Sequence, residues 1–213
     1  RIRDELLAAE IALKAQRERV AKLRRSLPLD SAVEDYLFRE GPRDLSRDGP
    51  EAEVRLSELF EDRDKPLLLF QYMYGGAQKD PCPMCSMWAD GYQGVAPHLA
   101  QHFNLGLIAE AEIERLRQLA RARGWADLRP LSSAGSTFKR DLGFQSDDGA
   151  QLPGVSIFVQ GDGGVRHFYS ASAFMGEGEN RGMDLLTPVW NLIDLTPQGR
   201  GHWFPSLEYG QER

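Results

Sequence analysis

Cys82 and Cys85, in a Cys-Pro-Met-Cys sequence, are the two residues whose types and spacing best fit covalent chemistry. They are the only cysteines in the chain. If a helix begins at Cys82, the free amide groups and partial positive charge at its N-terminus lower the pKa of that thiol below the ~8.5 of a free cysteine. Pro83 suits a first helical turn because it has no amide proton to lose. We therefore predict that Cys82 is the nucleophile and that Cys85, one turn later, resolves a mixed disulfide.

The sequence around the pair predicts a strand before it and a helix after it. Apolar and aromatic residues fill 67–73, and two glycines end this run, which is typical of a buried strand. The pattern over 86–102 is helical, but two glycines and Pro97 interrupt it, so we predict two helical pieces with a kink. Asp80 opposes the activation of Cys82, because a nearby carboxylate raises the pKa of a thiol.

A zinc site is the competing interpretation of the same cysteines. Cys82, Cys85, His98 and His102 fit C-x2-C-x12-H-x3-H, the spacing of a small zinc finger. A zinc finger places its cysteines on a hairpin, however, whereas an apolar strand precedes them here and Pro97 stands immediately before the first histidine. The strand-then-helix context favours a redox dithiol.

The remaining pattern predicts an α/β fold with a mixed central sheet. Further strands are predicted at 103–109, 128–132, 155–159 and 165–169, and further helices at 110–123, 136–142 and 183–193. The last two strands are joined by Gly161-Asp162-Gly163-Gly164, which predicts a hairpin. Parallel units followed by an antiparallel hairpin place helices on both faces of the sheet.

The predicted domain organisation has four parts. Residues 1–28 form a helix with a heptad-like apolar seam, which we expect to pack on its own subunit or to form a homodimer. Residues 29–65 form a loop-rich connector with one short helical turn at 56–60. Residues 66–200 form the main domain, and 201–213 form an aromatic tail that docks on the body or on a partner.

Composition limits the classes of partner and location. The net charge of −6 gives no basic surface for a nucleic acid, and the apolar runs are too short to span a membrane. Two cysteines are too few for a secreted disulfide scaffold, so we expect a cytoplasmic protein. No nucleotide-binding loop occurs in the sequence, and no cofactor is expected.

Several motifs in order resemble one bacterial family. They are Pro81-Cys82-Pro83-Met84-Cys85-Ser86-Met87-Trp88-Ala89-Asp90-Gly91, Leu131-Ser132-Ser133-Ala134-Gly135-Ser136-Thr137-Phe138, Pro153-Gly154-Val155-Ser156-Ile157-Phe158 and Leu192-Ile193-Asp194-Leu195-Thr196-Pro197-Gln198-Gly199-Arg200. These motifs are similar to the thioredoxin-like proteins catalogued as domain of unknown function 899. The resemblance implies a thioredoxin-like or peroxiredoxin-like three-layer fold. It implies no particular substrate.

The wider thioredoxin superfamily suggests further site residues. Pro153 matches the position of a cis-proline packed against the dithiol, where exposed backbone can pair with an extended substrate. Thioredoxins also carry a buried acid near the dithiol, but residues 67–74 contain none, which leaves water, Asp80 or Asp90 to handle protons. Supporting residues are predicted around the dithiol: Pro83, Met84, Trp88, Asp90, Ser132 and Ser133.

The functional prediction is a thiol-disulfide oxidoreductase or a thiol peroxidase. Its partners would be a disulfide or peroxide substrate and a thiol reductant. A zinc-binding module and a thioredoxin-like adaptor without turnover are the alternatives.

Overall fold

A single seven-stranded sheet organises the computed structural model, which describes residues 1–161, 163–176 and 178–209. Its strands, in chain order, are β1 (Leu37–Glu40), β2 (Ala52–Arg55), β3 (Leu67–Gly75), β4 (Asn104–Glu110), β5 (Arg129–Ser132), β6 (Gly154–Gly161) and β7 (Gly164–Ser172). Its helices are α1 (Ile2–Arg25), α2 (Pro83–Leu99), α3 (Ile113–Arg123), α4 (Phe138–Asp141) and α5 (Pro188–Ile193), with 3-10 turns at Leu56–Leu59 and Asp184–Leu186.

The spatial order of the strands is β2-β1-β5-β4-β3-β6-β7. Strands β3, β4 and β5 run parallel, whereas β6 and β7 form an antiparallel hairpin at one edge. This arrangement confirms the predicted mixed sheet and hairpin. Asp162, in the predicted turn, lies outside the described residues.

Side chains of β3 alternate between two cores, as the pleat of a strand requires. Leu67 and Leu69 face a core that includes α4 and the first 3-10 turn. Phe70 and Tyr72 face the opposite core, which contains α2, α3 and both cysteines. The sheet therefore separates two helical layers, and β3 directs the side chains that surround the dithiol.

The region predicted as a loop-rich connector contains two strands. Strand β1 pairs with β2 and also with β5, so the ribbon extends the sheet at its other edge. Each strand has only four residues and buries one side chain fully, Phe38 in β1 and Val54 in β2. Strands this short carry almost no alternation for a sequence pattern to reveal.

Helix α2 is continuous, and the predicted division into two pieces is wrong. Pro97 lies in its last turn, so the missing amide proton removes a hydrogen bond only near the end of the helix. The predicted single helix at 183–193 is instead a 3-10 turn followed by α5, because Pro188 starts a new helix.

Helix α1 forms over 24 residues, as predicted, but does not bury its seam against the body. None of its residues is buried, and Leu6, Leu13 and Leu23 are more than half exposed. Near its end, Arg24 stacks over the ring of Tyr169 at 4.9 Å. Among the described residues no helix is both long and apolar enough to cross a membrane.

Candidate active site at the start of helix α2

The backbone of Met73, near the end of β3, holds both cysteines. The Cys82 amide donates to the Met73 carbonyl at 3.2 Å. The Met73 amide in turn donates to the Cys85 sulfur. Strand β3 is irregular here, because its register with β4 shifts between Gln71 and Gly75. Between these two pairs β3 advances four residues while β4 advances two, which leaves backbone of β3 free to bind the dithiol.

Cys82 is the N-cap of α2. Its backbone is extended, and its Sγ accepts a hydrogen bond from the Cys85 amide at 3.3 Å. Ser86 reinforces the first turn, because its hydroxyl donates to the Cys82 carbonyl at 2.9 Å and also hydrogen-bonds to the Tyr72 hydroxyl at 2.6 Å. The two thiols are therefore fixed by the strand on one side and by the helix start on the other.

The two thiols have opposite acidities. A hydrogen bond with the Cys85 side chain, helped by the amides of residues 84 and 85, lowers the pKa of Cys82 to about 7. Burial and the hydrogen bond with Cys82 raise the pKa of Cys85. Asp80, expected to raise the pKa of Cys82, is not among the groups that shift it. Both thiols are free and buried, with 5% of Cys82 and 1% of Cys85 exposed.

A buried lysine, which sequence reasoning missed, stands behind the dithiol. Lys139 of α4 donates to the Tyr72 carbonyl at 2.8 Å and to the Gln151 side-chain oxygen at 3.0 Å. Burial lowers its pKa to about 8, against the opposing charges of Glu110 and Cys85. Helix α4 has only four residues, too few for periodicity to show which face of it is buried.

A mostly apolar cavity of about 400 Å³ borders Cys85. Two of the predicted supporting residues, Met84 and Trp88, line it, together with Pro153. Trp190 and Trp203 form the far wall, where their rings meet edge to face with centroids 5.3 Å apart. The cavity is large enough for a small organic molecule, and it borders Cys85, three residues after Cys82.

Pro153 lines the cavity that Cys85 borders, but its peptide bond is trans, so the predicted cis bond is wrong. No peptide bond among the described residues is cis. Gly154, which follows it, starts β6 and pairs with Gln71 of β3, so the strand pairing brings Pro153 to the cavity. The register of β6 therefore places this proline without a cis bond.

Asp90 lies away from the thiols, in a cluster that fastens α2 to the segment after α3. It accepts from the Trp125 indole nitrogen at 2.8 Å and the Tyr209 hydroxyl at 2.9 Å, and it forms an ion pair with Arg123. All its oxygens are thus engaged by neighbouring donors. These contacts give Asp90 a structural role, and its part in proton handling stays a prediction.

Ser132 and Ser133 also lie away from the dithiol. They are at the end of β5, and β4 separates that strand from β3. The Ser132 hydroxyl accepts from the Ala134 amide at 3.2 Å, and the Ser133 hydroxyl donates to the Ala109 carbonyl at 3.2 Å. Both side chains hydrogen-bond to backbone groups at the ends of β4 and β5, and their part in the site stays a prediction.

The zinc alternative is excluded by the helix itself. Cys82 and Cys85 are at the first turn of α2, whereas His98 lies in its last turn and His102 beyond it, both exposed. At 1.5 Å per residue, 16 residues of helix separate the two ends by about 24 Å. Across the described part of the chain, no group of three or more His, Cys, Asp or Glu side chains could hold a metal ion.

The predicted aromatic tail docks on the body, as far as it is described. Trp203 packs against Trp190 at the cavity, and Tyr209 contacts Asp90 and Arg123. Residues 210–213 of the predicted tail lie outside the described residues.

Solved structures with this fold include several thiol enzymes. A candidate thioredoxin reductase from Burkholderia cenocepacia superposes with a TM-score of 0.54 at 16% identity, over 75% of this chain and 96% of that chain. The 1-Cys peroxiredoxin of Plasmodium falciparum gives 0.54 at 15% identity, over 69% and 84%. Reduced Prx3 of Vibrio vulnificus, in complex with hydrogen peroxide, gives 0.51 at 15% identity, over 68% and 88%. At these identities the likeness concerns the fold alone.

Sequence comparison reaches the family level. No curated protein matches the chain significantly. The model of the family described as bacterial protein of unknown function (DUF899) matches residues 1–210. With the motifs around the dithiol and the mixed sheet that carries it, this match shows that the chain belongs to the DUF899 family and has a thioredoxin/peroxiredoxin-like fold.

Proposed function

We propose that the protein is a thiol-dependent oxidoreductase that cycles between the Cys82–Cys85 dithiol and its disulfide, reducing a small hydroperoxide or disulfide. The observation that carries this proposal is the asymmetric pair. One thiol ionises near neutral pH, while its hydrogen-bonded neighbour stays protonated. An attacking thiolate beside a protonated resolving thiol is the arrangement that a two-step dithiol reaction needs.

With a hydroperoxide, the Cys82 thiolate attacks the terminal oxygen and the O–O bond breaks. The products are a sulfenic acid on Cys82 and an alkoxide, which takes a proton from water. Cys85 then attacks the Cys82 sulfur, forming the disulfide and releasing water. A thiol reductant restores the dithiol by exchange and is itself oxidised to a disulfide.

With a disulfide substrate, the same thiolate forms a mixed disulfide and releases the first thiol. Cys85 then attacks Cys82 and releases the second thiol, so two electrons pass from the protein to the substrate. Both routes share the Cys82 attack and the Cys85 resolution.

The thiol reductant that both routes need is available where cellular thiols are kept reduced. We therefore propose that the protein works in the cytoplasm.

The apolar cavity favours a small substrate with an apolar or aromatic group. Aromatic and sulfur-containing side chains dominate its lining, and Arg181 and Arg200 at its edge are both paired with Asp184. An uncharged group therefore meets complementary surface, whereas an anion meets arginines that are already neutralised. Cumene hydroperoxide and a small aryl disulfide are suitable probes.

The test measures peroxide consumption and disulfide reduction by the purified protein, with dithiothreitol as the reductant. We expect turnover by the unaltered chain and none by Cys82→Ser. With dithiothreitol left out, Cys85→Ser should react once, ending in a mixed disulfide with the disulfide substrate and in a sulfenic acid with the hydroperoxide. Cys82→Ser must form no mixed disulfide. If neither substrate is consumed above the rate of Cys82→Ser, the enzyme proposal fails and the adaptor alternative replaces it.

A further inference from the structure

Lys139 is a buried cation with no ion pair among the described residues. Its ammonium group is held by two neutral acceptors, the Tyr72 carbonyl at 2.8 Å and the Gln151 side-chain oxygen at 3.0 Å. The nearest carboxylate contact is indirect, since Gln151 donates to Glu110 at 3.1 Å. Burying a charge without a direct counter-ion is costly, so this position calls for an explanation.

The Tyr72 carbonyl belongs to the peptide unit that contacts the dithiol. Its other end is the Met73 amide, which donates to the Cys85 sulfur. In a trans peptide the C=O and N–H bonds point in opposite directions, so Lys139 and Cys85 lie at opposite ends of one dipole. A cation bound to the oxygen withdraws electron density and strengthens donation by the amide.

We propose that Lys139, acting through the Tyr72–Met73 peptide, stabilises the thiolate of Cys85 and thereby speeds the resolving step. Lys139 is a positioning residue in this proposal, because it touches neither substrate nor sulfur. The proposal rests on the proposed function, in which Cys85 attacks Cys82. In that step the Cys85 proton is lost to water in the adjacent cavity, the Cys82–Cys85 bond forms, and the bond from Cys82 to the leaving group breaks.

Few charged or titratable groups face this arrangement. Lys139 faces Glu110 of β4 and Cys85 of α2. Cys85 in turn faces Cys82, Lys139 and the Tyr72 hydroxyl. Glu110 is half-buried, contacts the lysine through Gln151, and is not among the groups that shift the pKa of Cys85. The lysine is therefore the cation placed to favour an anion on Cys85.

The experiment mixes the reduced full-length chain with excess 2,2′-dithiodipyridine, an uncharged aryl disulfide, and follows the release of pyridine-2-thione. The first phase, proportional to reagent concentration, is attack by Cys82. The second phase, independent of that concentration, is resolution by Cys85. Both are recorded from pH 6 to about 11, because burial raises the pKa of Cys85, for the unaltered chain and for Lys139→Met, Lys139→Gln and Lys139→Arg.

Lys139→Met removes both the charge and the donor. Lys139→Gln keeps a donor without the charge, and Lys139→Arg keeps both. We expect the second phase of the Met and Gln variants to slow and its pH midpoint to rise, with the first phase unchanged. Each unit by which the pKa of Cys85 rises lowers its thiolate fraction about tenfold and raises the nucleophilicity of the thiolate about threefold. The second phase should therefore slow about three- to fourfold per unit. Lys139→Arg should restore most of the rate.

A second measurement does not depend on turnover. In a Cys82→Ser chain, the Cys85 thiol is titrated by the NMR shift of its ¹³C-labelled Cβ, and Lys139→Met or Lys139→Gln should raise the midpoint. If the unaltered chain shows no Cys82 phase, the proposed function fails while this titration still decides the role of Lys139. An unchanged second phase and titration, or equal slowing of both phases in all three variants, overturns the proposal. Lys139→Gln keeps the test valid should Lys139→Met fail to fold.

Discussion

Cys82 has an unusual combination of properties for a reactive thiol, since it ionises near neutrality although its side chain is almost fully buried. Burial alone raises the pKa of a thiol. Three hydrogen bonds from residues 84 and 85 reverse that effect, and the side-chain bond with Cys85 has the largest influence. The acidity of Cys82 is thus a property of the pair rather than of the helix end alone.

The pH dependence of Cys82 alkylation tests this origin. Ionisation produces the reactive form, so the rate should rise with pH and reach half its maximum near pH 7. In Cys85→Ala the largest stabilising bond is lost, so the midpoint should move upward and the rate at pH 7 should fall. Iodoacetamide labelling followed by mass spectrometry measures both. An unchanged midpoint in Cys85→Ala would contradict the pairing argument.

Asp90 provides a contrasting prediction, because its contacts assign it to packing. Asp90→Asn should leave the alkylation midpoint of Cys82 unchanged and lower the free energy of unfolding by about 1–3 kcal/mol, through the weakened bonds to Arg123 and Trp125. Urea denaturation measures the loss, and Asp127→Asn, at an exposed site bonded only to Gln93, is the control. A shift in the midpoint would return Asp90 to the list of proton-handling groups.

The sequence predicted the reactive pair but not the groups that tune it. Cys82, Pro83 and Cys85 lie within four residues of one another, so their spacing and the predicted helix start were enough to identify the pair. Lys139 is more than 50 residues away, and only the folding of α4 over the sheet brings it behind the dithiol. Ser132 and Ser133 belong to a sequence motif, but a motif records only the order of residues. Contact with the dithiol depends on the sheet, in which β4 lies between β5 and β3.

At the level of elements, the end of β3 controls the geometry of the site. Gly75 has a positive φ of 85°, and a Cβ there would lie 2.1 Å from the Ala111 backbone nitrogen. Only glycine allows β3 and β4 to approach so closely just beyond Met73. The strand therefore ends where its backbone can hold both cysteines.

Gly75→Ala should therefore be severely destabilising. The left-handed backbone and the backbone clash together should lower the free energy of unfolding by more than about 2 kcal/mol. Gly143→Ala is the matched control, because Gly143 has a φ of 75° but open space around its Cβ position, and it should lose about 1 kcal/mol. Equal losses in the two variants, measured by urea denaturation, would show that the close approach carries no cost.

Elements with a strong periodic signal were predicted, and those without one were not. Strands β3 and β4 and helix α3 have continuous apolar runs or a clear apolar face. The glycines at 91 and 94, with Pro97, predict a kink in α2. Cys85, Trp88, Ala89 and Ala96 nevertheless form one buried face along a continuous helix. Tertiary packing overrides the weak helix formers in its middle.

In the whole molecule, the working parts converge on one end of the central strand. The two thiols lie at the start of helix α2, and Met73 of β3 contacts them. Pro153 immediately precedes β6, and Lys139 comes from α4 in the opposite layer. Described residues between 173 and 203 complete the lining of the cavity. Four regions that are distant in sequence therefore meet around the Cys82–Cys85 pair, and the topology of the sheet brings them together.

Helix α1 packs little against the rest of the described structure, since none of its residues is buried. Its apolar side chains at Ile2, Leu6, Leu13 and Leu23 are 56–78% exposed. They belong to a seam with three- and four-residue spacing, which positions 9, 16, 20 and 27 complete. An exposed apolar stripe of this length is unfavourable in water, and a second copy of the same helix offers a matching stripe. We therefore predict a homodimer formed through α1.

Sedimentation equilibrium of the full chain at micromolar concentration tests the dimer. The unaltered protein should sediment with twice the monomer mass, and Leu6→Glu with Leu13→Glu should sediment as a monomer, because two carboxylates in the seam would be buried without partners. Ala8→Glu with Ala15→Glu adds the same charge away from the seam and should remain dimeric. The dithiol lies in a separate layer, so both double variants should keep the Cys82 alkylation midpoint. A monomeric unaltered chain, or loss of the dimer in both double variants, would remove the seam as the interface.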